Sequence, residues 1–500
     1  MTAQRSVIWT LATVCYMGGI FYLSSLSGNV GGLVGPSTRS WGLVWNATHI
    51  PLFAGLGICL AMTLAHWRWT RRAAWTLAAG VGYAIFDEWH QSWVPARSAS
   101  VSDVLLDGIG LALGLVTVRL LSRRRVAAAG TGPRITVRTR LVRTAAELAG
   151  LAPVWAELNR QAGQVSPFLS HDWFSCCWNA VAPGRSAEVV VIEEAGSSVA
   201  LVPLMRWTER RHGLSVRCLG FLDCPDTAML DFVGAGESSQ VVEAFLEHLE
   251  SRGDWDVAVL QKLPASSATL KALEAGLPGR LPWRRAGTLL SPYLAIAGRW
   301  ELFYGTRTQR FKKTVRNIQN RLERAGRVSV EQHRDLDPSG PLFHEVVELT
   351  RRSWKADRGV ALATMPRMPE FFRELTRRAT ARQWLSVWLL RLDSRPIAME
   401  YQLQADGKVH ALRADYDMAY RELSPGSALN FAIVRALFEG GGVHEYDMGP
   451  GLNEYKLRWA SETHETTTLQ IYRASLYGRL LHLLETAIVP AARRWRGRAR

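Results

Sequence analysis

The chain has 500 residues, of which 48% are hydrophobic and 21% are charged. This length predicts about two to four domains, and the composition excludes a disordered, collagen-like or coiled-coil chain. Basic residues outnumber acidic ones by 60 to 44, which gives a net charge of +16. Since no charged residue occurs between Ser6 and Thr38, we expect that the chain is not fully soluble.

The six cysteines are scattered along the chain and form no CxxC pair. Structural zinc sites and thioredoxin-type motifs use such pairs. The sequence therefore predicts no metal site and no disulfide framework, and it favours a reducing compartment.

Four apolar segments in the first quarter of the chain approach the roughly 20 residues of a membrane-spanning helix. They are Val7–Leu26, His49–His66, Ala73–Trp89 and Val101–Leu121. The first run is long and three more follow it, so we expect it to be retained rather than cleaved as a signal. Arginines gather before the first segment, between the second and third, and after the fourth. Because positive residues favour the cytoplasmic side, we expect a multi-pass bacterial inner-membrane protein with both termini in the cytoplasm.

Polar residues in these segments fall at the ends predicted to face outward. The predicted topology brings the following residues to one membrane face: His49, Asp87, Glu88, Gln91, Arg97, Asp103 and Asp107. Ionisable groups near bilayer depth are unfavourable and therefore indicate a functional site. The alternative is a structural cap, in which Arg97 pairs with the carboxylates and closes the bundle.

This stretch resembles the VanZ-like family of small four-helix membrane proteins. The resemblance is carried by His49, Phe53 and segment 82–114, with its DE-x-x-Q, P-x-R and D-x-x-x-D-x-x-G-x-x-x-G elements. Asp107 stands where the family often has Asn. The resemblance implies a four-helix transmembrane domain over residues 1–125 and a link to low-level glycopeptide resistance, with no established chemistry.

A stretch rich in small residues at 126–136 indicates a linker, and strand-like and helix-like segments alternate after it. This alternation predicts a mixed α/β architecture. Residues 137–296 and 297–473 show the same order of predicted elements, so we expect two structurally similar halves. Segment 474–500 is apolar and then strongly basic, which predicts an amphipathic helix on an anionic lipid leaflet or a frayed basic tail.

The most informative stretch is Leu385–Trp459. Two predicted strands joined by a short turn precede a third strand, a loop with Pro and Gly, and a predicted helix at Ser427–Phe438. A helix N-terminus in this setting can bind an anion through its backbone amides. The residues placed there are Ser424, Gly426, Ser427 and Ala428. The alternative is that Pro and Gly form only a turn.

These pieces resemble the GNAT acyltransferases, and more narrowly the CelD-like acetyltransferases, which are relatives of the FemAB peptidyltransferases with two tandem GNAT-like halves. The resemblance is carried by segments 166–174, 199–204, 310–326, 395–400, 424–429 and 446–459. It implies an acyl-CoA donor, such as acetyl-CoA, held at the loop before the helix. The Q/R-x-x-G-x-G/A loop of typical GNAT enzymes is absent, which leaves the donor open.

Acyl transfer needs a base for the proton of the acceptor and an acid for the leaving thiolate. The candidates in this region are Asp447, Tyr455, Lys456, Asp415 and Glu400. We expect Asp447 to face the substrate, Lys456 to bind a substrate anion and Tyr455 to protonate the thiolate. Alternatively, Asp447 caps a turn, Tyr455 packs in the core and Lys456 is solvated.

Segment 307–327 carries eight basic residues and one acidic residue. It predicts a helix that binds tRNA phosphates, anionic lipid headgroups or a phosphorylated sugar carrier, or else a solvated basic face.

The sequence thus predicts a membrane-anchored acyltransferase that modifies an amine or hydroxyl of a cell-envelope, exopolysaccharide or peptidoglycan precursor. One alternative is a FemAB-like transferase that uses aminoacyl-tRNA. The other is a non-catalytic envelope or resistance protein, in which the acidic residues of the first quarter form the functional site.

Overall fold

The computed structural model of the chain describes residues 3–25, 39–65, 67, 69–94, 100–128, 137–234 and 239–490. The chain divides into two compact units, residues 1–134 and 135–500. We call the first the helical unit and the second the sheet unit. Arg97, most of the linker at 126–136 and the basic end of segment 474–500 lie outside the described residues.

The described residues of the helical unit form α1 (Ala3–Ser25), α2 (Arg39–Thr63), α3 (Trp69–Gln91) and α4 (Val101–Ala128). Helices α2 and α4 approach closely because α4 has glycines where the two backbones meet. A Cβ atom added to Gly110 would lie 2.5 Å from the carbonyl oxygen of Ile50, and one added to Gly114 would overlap that of Ala54. The close approach brings His49 beside Asp107, with Nδ1 and Oδ1 2.9 Å apart.

The prediction of a four-helix transmembrane bundle, and with it of a multi-pass inner-membrane location, is wrong. Within the part of the chain that the structure describes, no helix combines the length and the apolar character that a membrane crossing requires. Helices α1, α3 and α4 form close to where the apolar segments predicted them, whereas α2 begins at Arg39 rather than His49.

The sequence prediction gave too little weight to polar content. Helix α3 carries two arginines near its start and two acids near its end, and α4 carries two acids in its first two turns and Arg119 further on.

The described residues of the sheet unit form one twelve-stranded sheet. Its strands are β1 (Val137–Val142), β2 (Ser186–Glu194), β3 (Ser197–Arg211), β4 (Leu214–Phe221), β5 (Val257–Pro264), β6 (Trp283–Ala295), β7 (Val328–His333), β8 (Leu385–Leu392), β9 (Arg395–Ala405), β10 (Lys408–Tyr416), β11 (Glu445–Asp447) and β12 (Glu462–Tyr472). They lie in the order β1-β2-β3-β4-β5-β12-β6-β11-β10-β9-β8-β7. The pairs β4–β5 and β10–β11 are parallel, and the other neighbours are antiparallel.

This strand order shows an internal duplication. Strands β1–β5 and β7–β11 form two equivalent runs that approach the middle of the sheet from its two edges. The sixth strand of each half crosses over, so that β6 pairs with β11 and β12 pairs with β5. The two exchanged strands also pair with each other. The sheet unit is therefore a tandem GNAT-like fold, whereas the boundary between residues 296 and 297 stays a prediction.

The helices of the sheet unit surround this sheet. They are α5 (Ala145–Gly150), α6 (Ala152–Gln161), α7 (His171–Asn179), α8 (Ser239–Ser251), α9 (Ala268–Gly276), α10 (Trp300–Gly305), α11 (Gln309–Ala325), α12 (Pro341–Arg351), α13 (Trp354–Asp357), α14 (Met368–Ala381), α15 (Pro425–Gly440), α16 (Glu454–Leu457) and α17 (Leu476–Leu483). Short 3-10 turns at Pro167–Leu169 and Met418–Leu423 and a π-turn at Leu484–Ile488 complete the described elements.

Helices cover both faces of the second half of the sheet. Because side chains alternate along a strand, Val387 and Leu389 of β8 pack in a larger core with α12 and α14, whereas Leu390 packs in a smaller core with α11 and α15. We call these sides the α14 face and the α15 face. Helix α11 presents an apolar stripe to the smaller core, in which Ile318 and Leu322 lie one turn apart.

We expect Gly114→Ala to destabilise the helical unit, because the added methyl group would overlap the Ala54 carbonyl oxygen of α2. Overpacking of this kind lowers the free energy of unfolding by about 1–3 kcal/mol. The matched control is Gly108→Ala in the same helix, where an added Cβ meets nothing within 4 Å. Thermal unfolding of the full chain measures both variants. Equal midpoints for the two would contradict the close approach of α2 and α4.

Candidate active site

The candidate active site lies where β10 and β11 part. These strands pair only over Lys408–His410 and Glu445–Asp447, and we call the space beyond this pairing the β10–β11 gap. The chain leaves β11 through Gly449, which has a φ of 74°. A Cβ atom there would lie 3.1 Å from the Ala411 carbonyl oxygen. Conformation and space therefore both favour glycine at this position.

Lys456 of α16 extends its side chain into this turn. Its Nζ donates to the carbonyl oxygens of Gly449 and Pro450, each at 2.9 Å, and the residue is only 5% exposed. Burial lowers the pKa of Lys456 to about 8, although the negative charges of Asp447 and Glu400 oppose this shift. Lys456 is thus a buried ammonium at neutral pH rather than a solvated one.

Glu400 of β9 is buried on the α15 face. Its Oε1 accepts hydrogen bonds from the Tyr446 hydroxyl at 2.5 Å and from Gln402 Nε2 at 2.8 Å. Asn430 of α15 donates to the same Tyr446 hydroxyl at 3.2 Å. Burial raises the pKa of Glu400 above its ordinary value. Sequence reasoning missed Tyr446 and Asn430, because a three-residue strand is too short for its alternation to show which side chain meets Glu400.

Asp447 points to the opposite, α14 face, because adjacent residues of a strand alternate and Tyr446 takes the α15 face. Its carboxylate accepts the Gly449 amide at 2.8 Å and lies 3.3 Å from His410 Nδ1. His410 in turn packs edge to face against Phe168 of the larger core. The bond to Gly449 is the turn cap that the sequence offered as an alternative, and it also fixes the carboxylate at the gap.

Asp415 of β10 is held by a partner of its own. Its carboxylate lies 3.3 Å from Nζ of Lys355 in α13, and Lys355 also donates to the Ala414 carbonyl at 2.7 Å. The neighbouring Arg413 pairs with Asp226 of the first half at 2.9 Å. Among the described residues, Asp415 makes no hydrogen bond to the other four predicted catalytic residues.

Tyr455 lines a groove between α11 and α15. The groove is bordered by Phe311, Thr314, Val315, Ile318, Gln319, Ser427, Ala428, Asn430, Phe431, Tyr455, Arg458 and Trp459. Burial and the charges of Glu400 and Asp415 raise the pKa of Tyr455, so its hydroxyl keeps its proton at neutral pH. Two residues of the predicted anion site, Ser427 and Ala428, thus share one groove with the predicted acid.

The predicted anion site is the N-terminus of α15. Ser424 adopts a left-handed conformation with φ 56°, and its carbonyl accepts the amides of Ser427 at 3.1 Å and Ala428 at 3.2 Å. A Cβ atom at Gly426 would lie 3.3 Å from the Tyr416 ring. Within the described residues the Gly426 amide has no backbone partner, so it remains available to an anion at the positive end of the helix dipole.

Helix α11 presents an exposed basic surface beside the groove. The exposed members are Arg310, Lys313, Arg316, Arg321 and Arg324, followed by Arg327. In the described chain, no salt bridge joins any of the eight basic residues at 307–327 to a carboxylate. This positive surface could therefore attract an anion.

The first half also has a short parallel pairing, between Cys218–Gly220 of β4 and Val257–Val259 of β5. Lys262 of β5 binds Asp223 at 3.0 Å and the Cys224 carbonyl at 3.3 Å. Lys456 has carbonyl partners instead, and among the described residues no carboxylate lies within salt-bridge distance of it.

A sheet whose parallel strands part beside the N-terminus of a following helix defines the GNAT type of acyltransferase. Residues 309–457 match the family described as acetyltransferase (GNAT) domain, and residues 12–122 match VanZ/LLP1. These matches confirm the two resemblances seen in the sequence and identify the chain as an acyltransferase.

Solved structures with related folds have low identity to this chain. FemX is 11% identical over 66% of this chain and 98% of its own, with a TM-score of 0.45. L-PGS from Bacillus licheniformis is 11% identical over 68% of this chain and 96% of its own, with a TM-score of 0.42. A tandem GNAT protein from the clavulanic acid biosynthesis pathway is 11% identical over 68% of this chain and 100% of its own, with a TM-score of 0.38. No curated protein matches the chain significantly in sequence.

The pKa of Lys456 predicts how stability depends on pH. Between about pH 8 and its ordinary value of 10.5, the unfolded chain binds this proton and the folded chain does not. The free energy of unfolding, relative to Lys456→Met, should therefore rise across this window, by at most about 3 kcal/mol. Chemical denaturation of the full chain at several pH values measures it. The exposed Lys313→Met is the control, and a pH-independent difference for Lys456→Met would contradict the lowered pKa.

Proposed function

We propose that the sheet unit transfers an acyl group from acyl-CoA to an amine or hydroxyl group of a cell-envelope or exopolysaccharide precursor. The observation that carries this proposal is that a fixed carboxylate, Asp447, and a buried ammonium, Lys456, lie at the β10–β11 gap, while a protonated phenol, Tyr455, lines the groove on the α15 face. Together they offer the base, the charge and the acid that acyl transfer needs.

The groove on the α15 face suits the donor. Its aromatic side chains, Phe311, Phe431 and Trp459, would contact an apolar acyl and pantetheine chain, and Arg458 adds a positive charge. The free Gly426 amide at the start of α15 would bind a phosphate oxygen. The space beside Gly426 is filled by Tyr416 at 3.3 Å from a hypothetical Cβ, so a larger residue would displace the helix start.

In the proposed reaction, the acceptor binds on one face of the sheet and the thioester donor on the other. Acyl-CoA would supply the acyl group as a thioester. On the α14 face, Asp447 takes the proton from the nitrogen or oxygen of the acceptor as that atom bonds to the acyl carbon. On the α15 face, Tyr455 donates its phenolic proton to the sulfur as the carbon–sulfur bond breaks. Lys456 holds the turn at Gly449 through the carbonyl oxygens of Gly449 and Pro450.

A second candidate function is transfer of an aminoacyl group from aminoacyl-tRNA. It is favoured by the unpaired basic surface of α11, which lies beside the groove and suits a phosphate backbone. The absence of the Q/R-x-x-G-x-G/A loop supports it as well. The acyl-CoA proposal remains the first choice because the groove and the free amide suit a short thioester donor.

Asp447→Asn should lower turnover about 10²–10⁴-fold, because an amide cannot take the proton of the acceptor. Donor affinity should be unchanged, since the asparagine oxygen can still accept the Gly449 amide. Thiol release from acetyl-CoA, with glucosamine as a probe acceptor, measures turnover. Asp335→Asn is the control, because Asp335 is exposed. If Asp447→Asn retains full turnover, the base lies elsewhere.

Gly426→Val should weaken acetyl-CoA binding, because its side chain would press against Tyr416 and move the α15 N-terminus. Gly440→Val, at the other end of the same helix, meets nothing within 4 Å and should bind normally. Calorimetry on the full chain measures both. If the wild-type chain binds aminoacyl-tRNA but not acetyl-CoA, the second candidate replaces the first, and if it binds neither, both are wrong.

A further inference from the structure

A group of ionisable side chains in the helical unit takes no part in the proposed acyl transfer. Its members, which we call the acidic cluster, are His49 of α2, Asp87 and Glu88 of α3, and Asp103 and Asp107 of α4. They meet because the glycines of α4 let it approach α2 closely. The sequence analysis also grouped these five residues, but it did so by assuming a membrane bundle.

Most of these carboxylates bond to the described residues through only one of their oxygen atoms. Asp107 Oδ1 lies 2.9 Å from His49 Nδ1. Asp87 Oδ2 accepts from the Gln91 side chain and Glu88 Oε2 from the Ser100 amide, each at 2.8 Å. Four buried oxygens have no hydrogen-bond partner among the described residues: Asp87 Oδ1, Glu88 Oε1, Asp103 Oδ1 and Asp107 Oδ2.

The cluster also lacks a counter-charge among the described residues. Asp87, Glu88 and Asp107 are 2%, 5% and 0% exposed, so water does not stabilise their charges well. The His49–Asp107 pair is the one salt bridge that the described residues form with the cluster. Buried carboxylates without partners are unstable unless a proton neutralises them or a cation binds them.

Three residues of the acidic cluster have ligand atoms close enough to share one ion. His49, Glu88 and Asp103 each offer a ligand atom, and these three atoms lie within 4.8 Å of one another. Ligands about 2.1 Å from a common metal ion are separated by roughly 3–4 Å. A small movement of side chains would therefore complete a coordination sphere.

The hydrogen bond from His49 to Asp107 decides which imidazole nitrogen is free. Because Nδ1 is engaged by the carboxylate, a neutral His49 carries its lone pair on Nε2. Metal-binding histidines commonly bond through their other nitrogen to a carboxylate, which orients the ring and strengthens the metal bond. Asp107 occupies that position here.

We propose that the acidic cluster binds one divalent transition-metal ion through His49 Nε2, Glu88 and Asp103, with Asp107 as the residue that orients the imidazole. One imidazole and two carboxylates suit Zn²⁺, Mn²⁺ or Fe²⁺ better than Mg²⁺ or Ca²⁺, which prefer oxygen alone. Cysteine spacing could not reveal this site, since none of its ligands is a cysteine. The proposal is independent of the acyltransferase chemistry of the sheet unit.

Two other cations could take the same place. Burial raises the pKa of Glu88 and of Asp107, so protons are the first rival. The guanidinium of Arg97, which lies outside the described residues, is the second, as in the structural cap that the sequence offered. Each rival predicts a different result in a metal titration.

The test uses the full chain, stripped of metal with a chelator and titrated with Co²⁺ and Zn²⁺. We expect one ion per chain by calorimetry and elemental analysis, with visible Co²⁺ absorption that reports the coordination geometry of the bound ion. His49→Ala and Glu88→Gln should each weaken binding at least about 10-fold, and Asp107→Asn about 10–100-fold. His90→Ala is the control, because His90 lies in α3 and contacts Ser25 instead.

A thermal midpoint measured without metal shows whether each variant folds. Glu88→Gln keeps its size and removes a buried charge, so it should fold even if His49→Ala does not. Added Zn²⁺ should raise the midpoint of the wild type but not that of Glu88→Gln. No binding to the wild type, or binding by both ligand variants as tight as that of the wild type, would overturn the proposal. Binding only after Arg97→Ala would overturn it in favour of the guanidinium, and stabilisation by acid without metal binding would overturn it in favour of protons.

Discussion

The exchange of β6 and β12 is the constraint on which the sheet unit depends. Each strand fills a place in the half that did not supply it, so neither half can pair its own inner edge alone. Backbone groups left unpaired at such an edge would be unfavourable. The exchange also holds the candidate site, because β11 contains only Glu445–Asp447 and pairs on one side with β6. A strand from the first half thus supports the catalytic edge of the second.

Two neighbouring residues of β11 contribute to different sides of the candidate site. Tyr446 and Asp447 are neighbours in sequence, but they serve opposite faces of the sheet. Tyr446 bonds to Glu400 beneath α15, while Asp447 meets His410 on the other side. Lys456 lies at the opening between them and is affected by the charges of both Asp447 and Glu400. One buried ammonium can therefore influence carboxylates that never touch each other.

Local patterns predicted much of this fold. Nine of the twelve described strands, the two similar halves and the helix after β10 were visible in sequence, although the helix begins at Pro425 rather than Ser427. Strands β6, β7 and β12 were not predicted. The strand exchange was not visible either, because pairing between distant strands leaves no local pattern. The partners of Glu400 were missed for the same reason. The membrane prediction failed because the length of the apolar segments was counted and their polar content was not. The contact between His49 and Asp107 formed nevertheless, because the glycine spacing that lets their helices approach is a local feature of the sequence.

The crossed strands also set an order of events during synthesis. The edge of β5 is complete when Pro264 has been made, but its neighbour β12 begins only at Glu462. At about 5–20 residues per second, the ribosome needs on the order of 10–40 seconds to supply that strand. During this interval the first half carries an open edge, rich in Val and Leu, in the middle of what will become a continuous sheet. The nascent chain therefore has a period of exposure to aggregation or to chaperones that a tandem protein with self-contained halves would not have.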